Sequence, residues 1–123
     1  MSELPKRKPV KFVGSSQSDL TRFPKEVKLV VGTALTAAQL GGKHKDAKVM
    51  TGLGGGAGVV EIIDDFDGNT FRAVYTVRFA GTVYVLHAFQ KKSMRGIETP
   101  ESDIDLIKLR LKSAEQDYKS GRK

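Results

Sequence analysis

The sequence predicts an α+β fold, in which a small antiparallel sheet with a mixed edge has helices on one face. Residues 58–93 hold three apolar runs separated by turn residues, as in consecutive hairpins. Two stretches with helical spacing of apolar residues flank these runs. A short run at Lys8–Gly14 contains Pro9, which suits an edge strand. The predicted order is therefore β-α-β-β-β-α.

The three runs are Val59–Phe66, Phe71–Phe79 and Thr82–Phe89. They are rich in β-branched and aromatic residues, which favour strands. Asp67-Gly68-Asn69 separates the first two runs, and Ala80-Gly81 separates the last two. These short connections predict antiparallel neighbours.

Pairing Phe66 with Phe71 and Phe79 with Thr82 assigns each side chain to a face, because side chains alternate along a strand. One face is apolar and is predicted to be the core: Val60, Ile62, Ala73, Tyr75, Val77, Tyr84, Leu86 and Ala88. The other face combines valines, Ile63 and Phe89 with a polar set: Glu61, Asp65, Arg72, Thr76, Arg78, His87 and Lys91. We expect this second face to be exposed, with Arg72, His87, Phe89 and Lys91 meeting at one end.

The first helical stretch is predicted to be divided by Pro24, into a short turn at Asp19–Phe23 and a longer helix at Pro24–Leu40. Gly41-Gly42 ends that helix. The apolar stripe of the longer helix is predicted to lie on the core face: Val27, Val30, Val31, Ala34, Leu35, Ala38 and Leu40.

Gly42–Gly58 is predicted to be a loop. Its glycine run follows a helix and opens a strand, which is the wrong context for a phosphate-cradling loop. The last helix is predicted to begin with Thr99 as its cap and Pro100 in its first turn, and to run to about Lys119. Its apolar stripe is Ile104, Ile107, Leu111, Ala114 and Tyr118.

The chain of 123 residues is long enough for one domain, predicted over 1–123 with loose tails at 1–7 and 120–123. There is no cysteine, and two histidines alone make a structural metal site unfavourable. We therefore expect no metal and no cofactor. No apolar run is long enough to span a membrane or to form a signal peptide, so a cytoplasmic location is expected.

Twenty-one basic residues against fourteen acidic ones give a net charge of +7 and a pI near 9.7. A small domain this basic commonly meets a polyanion, most often nucleic acid, although a solvated basic surface is the alternative. The lysines of the predicted loop, Lys43, Lys45 and Lys48, are candidates for phosphate contacts or for plain solvated charge.

The element order and three sequence stretches, FRAVY, LHAFQKKS and TPES, resemble the RelE/HigB superfamily of bacterial toxins, in its phage-related HigB-like branch. The resemblance covers about residues 9–118. It implies a toxin of a type II toxin–antitoxin system, a ribosome-dependent mRNA endoribonuclease. It also implies mRNA and the ribosome as partners, and a cognate helix-turn-helix antitoxin, HigA-like, through which an oligomer can form.

By position, Arg72 matches the arginine of the family's penultimate strand, and Lys91 and Lys92 match its basic pair after the last strand. The better-known RelE members carry lysines before that arginine, where this sequence has Glu61, Asp64 and Asp65. The proton-transfer roles therefore do not carry over from them.

Metal-independent RNA cleavage by the 2′-OH needs a base, positive charge on the phosphorane and a proton for the 5′-oxygen. Arg72 is the candidate for the phosphorane, because its guanidinium binds two phosphate oxygens at once. Lys91 or Lys92 is the candidate for added charge or for the proton donor. His87 or Glu61 is the candidate base.

Phe89 is the candidate for stacking an RNA base, and Arg78 for a further RNA contact. Several of these residues have a structural alternative: Arg72 can pair with Asp65 or Glu61, Glu61 can serve only as a salt-bridge partner, His87 can be a structural hydrogen-bonding residue, and Phe89 can serve only packing. At the level of the whole protein, the alternatives are a non-catalytic nucleic-acid-binding module and a phage accessory protein that shares the fold.

Overall fold

The computed structural model describes residues 7–51, 53, 58–91 and 99–121. Its elements in chain order are β1 (Val10–Phe12), α1 (Ser16–Thr21), α2 (Lys25–Gln39), β2 (Ala47–Val49), β3 (Val59–Phe66), β4 (Asn69–Thr76), β5 (Val83–Lys91) and α3 (Glu101–Ser120). The predicted α+β class is confirmed. One element was missed, because β2 lies inside the segment predicted to be a loop.

The five strands form one sheet in the order β1-β5-β4-β3-β2. All neighbours are antiparallel except β1, which runs parallel to β5 at one edge. The predicted mixed edge is therefore present. β2 adds the opposite edge, and its three residues pair with Val60–Ile62 of β3.

The β3–β4 hairpin closes through two residues with positive φ, Asp67 at 53° and Gly68 at 79°. Such a pair matches the twist of a tight two-residue hairpin. Phe66 therefore faces Asn69, whereas the sequence predicted that it would face Phe71. The two pairings differ by an even number of residues, so the prediction of which side chains share a face in β3 and β4 survives this error.

A β-bulge between β4 and β5 makes the predicted faces wrong for the first part of β5. Val74 lies opposite His87, but the next residue, Tyr75, lies opposite Val85, so Leu86 is the extra residue. Before the bulge, Val83 and Val85 lie on the first face and Tyr84 on the second, the reverse of the prediction. Leu86 also packs on the second face.

Helices cover both faces of the sheet, so the prediction that they lie on one face is wrong. The first face packs against α1 and α2 in a core that includes Val27, Val31, Ile62 and Tyr75. The second face packs against α3 in a separate cluster: Val59, Val74, Phe79, Tyr84, Leu86, Ile107, Leu111 and Ala114. The apolar stripe of α3 needs a surface to cover, and the valines of the second face supply it.

The helix boundaries agree with the sequence to within a few residues. A break at Arg22–Pro24 separates α1 from α2, as Pro24 predicted. Leu40 is 47% exposed and does not join the core stripe. Pro100 occupies the N-cap position of α3, and the side chain of Thr99 makes no cap. Ser120 belongs to α3 and not to a tail.

None of the helices in the described part of the chain is both long and apolar enough to cross a membrane.

Candidate functional site

The structure places Glu61, Arg72, His87 and Phe89 on the second face of the sheet, in neighbouring strands. Arg72 of β4 lies directly opposite Phe89 of β5. Glu61 of β3 and His87 of β5 both lie opposite Val74, from its two sides. Residues opposite or diagonal to one another on one face are within side-chain reach. Strand pairing alone therefore brings these four side chains together.

Arg72 forms a buried network with Glu61 and Thr99. The Arg72 side chain is 2% exposed, and its Nη1 lies 3.2 Å from Glu61 Oε2. The same Nη1 donates to Thr99 Oγ1 at 2.9 Å, and that hydroxyl donates to Glu61 Oε2 at 3.1 Å. A buried charge pair is stable only when its polar groups are satisfied in this way.

This network corrects the role predicted for Arg72. An enclosed guanidinium held by a carboxylate is not available to grip a phosphate in this arrangement. In the structure Arg72 pairs with Glu61, which the sequence allowed as an alternative to a phosphate contact. The other possible partner, Asp65, accepts instead from Thr70 Oγ1 at 2.8 Å. The carboxylate predicted as a base, Glu61, is shared between Arg72 and Thr99.

His87 is buried and is held through both ring nitrogens. Nε2 lies 2.7 Å from Asp103 Oδ1, in the first turn of α3. Nδ1 lies 3.5 Å from Arg110 Nη1, which can only donate. The two partners together favour the tautomer that carries its proton on Nε2. The ring also stacks on Phe89, with centroids 4.6 Å apart and planes at 21°.

Arg110 joins three elements at the edge of this site. Its Nη1 donates to the Leu86 carbonyl oxygen and its Nη2 to Ser15 Oγ, both at 3.0 Å. Ser15 Oγ in turn donates to Asp19 Oδ2 at 2.7 Å. The bulged strand, α1 and α3 thus share one polar chain that begins at His87.

Sequence reasoning missed Thr99, Asp103 and Arg110. A signal for the last two was present: they lie four before and three after Ile107, on the turns that bracket the apolar stripe of α3. The sequence predicts only a helix cap at Thr99, because Pro100 follows it.

The open side of the site is a pocket at the edge of the sheet. β1 pairs with β5 at Val83–Val85, and α1 runs beside the later part of β5. The pocket between them has a volume of about 320 Å³ and is lined by Asp19, Arg22, Phe23, His87, Ala88, Phe89 and Gln90. Phe89 and Lys91 are partly exposed. Arg22, which sequence reasoning did not single out, is the exposed cation at the pocket.

The remaining predicted RNA-binding residues lie elsewhere. Lys43 and Lys45 are exposed before β2, and Lys48 faces Glu61 from β2, at the edge of the sheet away from β5. Arg78 lies beyond the far end of β4, six residues from Arg72, which is about 20 Å of extended chain. Lys92 lies outside the described residues.

The family model described as "Phage derived protein Gp49-like (DUF891)" matches residues 18–112, which is most of the chain. The chain belongs to this family. The Gp49-like family is a RelE/HigB-type toxin family, which confirms the resemblance drawn from FRAVY, LHAFQKKS and TPES. No curated protein matches the sequence.

Among solved structures, the Gp49-like chain is similar to a chain of the RelBE2 toxin–antitoxin complex from Mycobacterium tuberculosis. The two sequences are 16% identical, with a TM-score of 0.46. The similarity covers 75% of this chain and all of that one.

The acidic residues that precede Arg72 in the Gp49-like chain shift the pKa of one carboxyl group in β3. Partial burial, followed by the charges of Asp65 and Asp46, raises the pKa of Asp64. Three acidic groups at this end of β3 repel an approaching phosphate. This end of β3 is therefore unfavourable for an anionic ligand.

Among the described residues, no group of three or more histidine, aspartate or glutamate side chains is placed to hold a metal ion.

Proposed function

We propose that this chain is the toxin of a type II toxin–antitoxin system, a ribosome-dependent mRNA endoribonuclease that acts in the cytoplasm and is held inactive by a helix-turn-helix antitoxin. Membership of a RelE/HigB-type toxin family supports the toxin role. The net charge of +7 supports a polyanionic substrate.

The proposed chemistry is attack of the RNA 2′-oxygen on the adjacent phosphorus. A 2′,3′-cyclic phosphate forms, the bond from phosphorus to the 5′-oxygen breaks, and that oxygen takes up a proton. His87 is the better of the two candidate bases, because it lines the edge pocket, whereas the carboxylate of Glu61 is held by Arg72 and Thr99. Nδ1 is the nitrogen that would accept the proton, since Nε2 is committed to Asp103, and Arg110 Nη1 would have to move away from its position 3.5 Å from Nδ1. A base oriented by a carboxylate is a recurring catalytic arrangement.

Lys91 and Lys92 are proposed to supply charge to the phosphorane and a proton to the leaving oxygen. Phe89 is proposed to stack a base beside the scissile bond, since single-stranded RNA is commonly held on aromatic rings. Arg72 becomes a positioning residue, because its contacts with Glu61 and Thr99 hold the segment that leads into α3 against the sheet.

The observation that carries this proposal is the placement of His87. It is oriented by Asp103 at 2.7 Å, stacked on Phe89 at 4.6 Å, and opens onto a pocket beside an exposed arginine. This combination brings the candidate base, the candidate stacking ring and an exposed arginine into one small region.

The test is cleavage of a defined mRNA by the purified chain with and without ribosomes. We expect cleavage only with ribosomes, loss of cleavage in His87→Ala and in Lys91→Ala/Lys92→Ala, and no loss in Lys119→Ala, an exposed lysine near the end of α3. Full activity of both site variants would overturn the assignment.

A non-catalytic nucleic-acid-binding role is the second candidate, and the burial of Arg72 favours it. A toxin that used this arginine on the phosphorane would need it exposed. Binding of RNA that weakens steeply with salt, together with intact mRNA in the presence of ribosomes, would support this alternative.

A further inference from the structure

The outward side of α2 is an apolar groove. Leu29 is 64% exposed and Leu40 is 47% exposed, although both belong to a helix whose opposite side is the protein core. Between the two leucines lie only small or uncharged residues, and the groove has a volume of about 530 Å³. It is lined by Lys28, Leu29, Gly32, Thr33, Thr36, Ala37 and Leu40.

This side of α2 lacks the charges that a solvent-facing helix normally carries. No residue from Leu29 to Gly42 is charged, although 28% of the whole chain is. Surface helices usually place charged residues opposite their buried stripe. Depletion of charge with apolar residues kept at the surface is typical of the centre of a protein interface.

Gly32 has no role inside the chain. A Cβ built on it would meet no heavy atom within 4 Å, so no close approach within the molecule requires a glycine there. A glycine in the middle of a helix is unfavourable relative to alanine. Its presence is explained if another backbone comes close to the helix at this point.

The ends of the groove are basic. Lys25 and Lys28 are exposed at the start of α2, where Glu26 is the single carboxylate of the first turn, and Lys43 is exposed just beyond the end of the helix. The backbone of Lys8 is hydrogen-bonded to Gln39 at that same end. Two copies of this face packed together would bring lysines against lysines in either direction. A partner with carboxylates at both ends would instead be attracted.

We infer that the outer face of α2 docks an amphipathic helix of the antitoxin, with an apolar stripe facing Leu29, Gly32 and Leu40 and acidic residues at both ends. This inference rests on the proposed toxin function. The docking face lies across the sheet from His87 and Phe89, since α2 packs on the first face. An antitoxin helix seated there leaves the edge pocket uncovered.

The test compares Leu29→Asp with Leu109→Asp. Leu109 lies on α3 and is 61% exposed, so the two substitutions add the same charge at equally exposed leucines on different surfaces. The probe is the helix-turn-helix protein encoded beside this chain, used in growth rescue and in binding to the purified full chain. We expect both variants to arrest growth when expressed alone.

With the neighbouring protein present, we expect growth to be rescued for wild type and Leu109→Asp but not for Leu29→Asp. Binding should weaken by about 100-fold for Leu29→Asp and change little for Leu109→Asp. Lys25→Glu/Lys28→Glu should weaken binding and reduce its sensitivity to salt.

The outcomes separate the two proposals. If wild type does not arrest growth, the toxin function fails. If wild type arrests growth and Leu29→Asp is still rescued, the docking face is wrong and the toxin function stands. Dimerisation of the chain alone that Leu29→Asp abolishes would overturn the inference in favour of a second copy. Loss of toxicity in Leu29→Asp without loss of binding would overturn it in favour of a contact with the ribosome.

Discussion

Asp103 Oδ1 lies 2.7 Å from His87 Nε2, and this contact joins the first turn of α3 to β5. Other polar contacts join the same two layers nearby, among them those from Thr99 to Glu61 and from Arg110 to the Leu86 carbonyl. The start of α3 is therefore held to the sheet by hydrogen bonds, while its centre is held by apolar packing around Ile107 and Leu111. Three of the predicted catalytic residues, Glu61, Arg72 and His87, are part of this attachment.

Asp103→Ala is expected to lower the free energy of unfolding by about 1–3 kcal/mol, because it leaves the buried Nε2–H of His87 without an acceptor. Asp105→Ala, an exposed carboxylate on the same turn, is the matched control and should change stability by less than about 0.5 kcal/mol. Urea unfolding of both variants is the measurement. Equal effects would mean that the His87 contact contributes nothing.

Arg72→Ala is expected to lower the free energy of unfolding by about 3–5 kcal/mol, because it leaves the enclosed carboxylate of Glu61 unpaired. The double variant Arg72→Leu/Glu61→Leu should be more stable than Arg72→Ala, since neither charge then remains buried. Thermal and urea unfolding of the two variants tests this. A fully stable Arg72→Ala protein would show that the pair is not enclosed in solution.

Loss of toxicity in Arg72→Ala would therefore not by itself show that Arg72 acts on the RNA. The sequence predicts that Arg72 lies on an exposed face, where replacement by alanine would leave the fold intact. With Arg72 2% exposed, inactivation by this substitution would follow from lost stability as well as from the loss of its positioning contacts. Lys91 and Phe89, which are partly exposed, give cleaner tests.

The periodicity of apolar residues in the sequence is sufficient to predict most of the fold. The break at Pro24, the three central strands and the α3 stripe at Ile107, Leu111 and Ala114 all follow from local patterns. The β4–β5 register around Arg72 and Phe89 also follows from the predicted turn, because the bulge lies on the other side of Val74.

The errors have two physical causes. An extra residue such as Leu86 leaves no sequence signal, yet it reverses the side on which Val83, Tyr84 and Val85 lie. The second cause was treating a face with charged residues as exposed. Arg72 and Glu61 neutralise one another, so that face can be covered by α3 once the valines are counted with it.

Gly32→Ala is expected to raise the free energy of unfolding by about 0.5–1 kcal/mol, because the site is helical and open. Gly58→Ala is the contrasting variant. Gly58 has φ of +101°, and an added Cβ would lie 3.1 Å from Arg78 Cα, so stability should fall by about 1 kcal/mol or more. Denaturant unfolding compares the two. A loss of stability in Gly32→Ala would mean that the glycine has a role within the chain.

Stability is expected to fall between pH 10 and about 12 through Tyr84. Burial, with the hydrogen bond to Asp117, raises the pKa of Tyr84 from 10.0 to about 12. In this range the unfolded chain loses the proton while the folded chain keeps it, so unfolding becomes more favourable as pH rises. The stability difference between wild type and Tyr84→Phe should shrink across this range. A constant difference would contradict the shift.

At acidic pH, the stability of the protein depends on Asp117. Its hydrogen bonds from Tyr84 and Lys11 lower its pKa below the usual 3.8. Its contribution to stability is therefore present above that value and is lost as pH falls through the lowered pKa.

The most direct test of the proposed function is mapping of mRNA 5′ ends in cells after induction of this chain alone. We expect new 5′ ends within translated regions for wild type, and their absence for Lys91→Ala/Lys92→Ala produced at the same level and folded. Growth arrest without new ends, or identical ends in both proteins, would contradict an endoribonuclease that uses the end of β5.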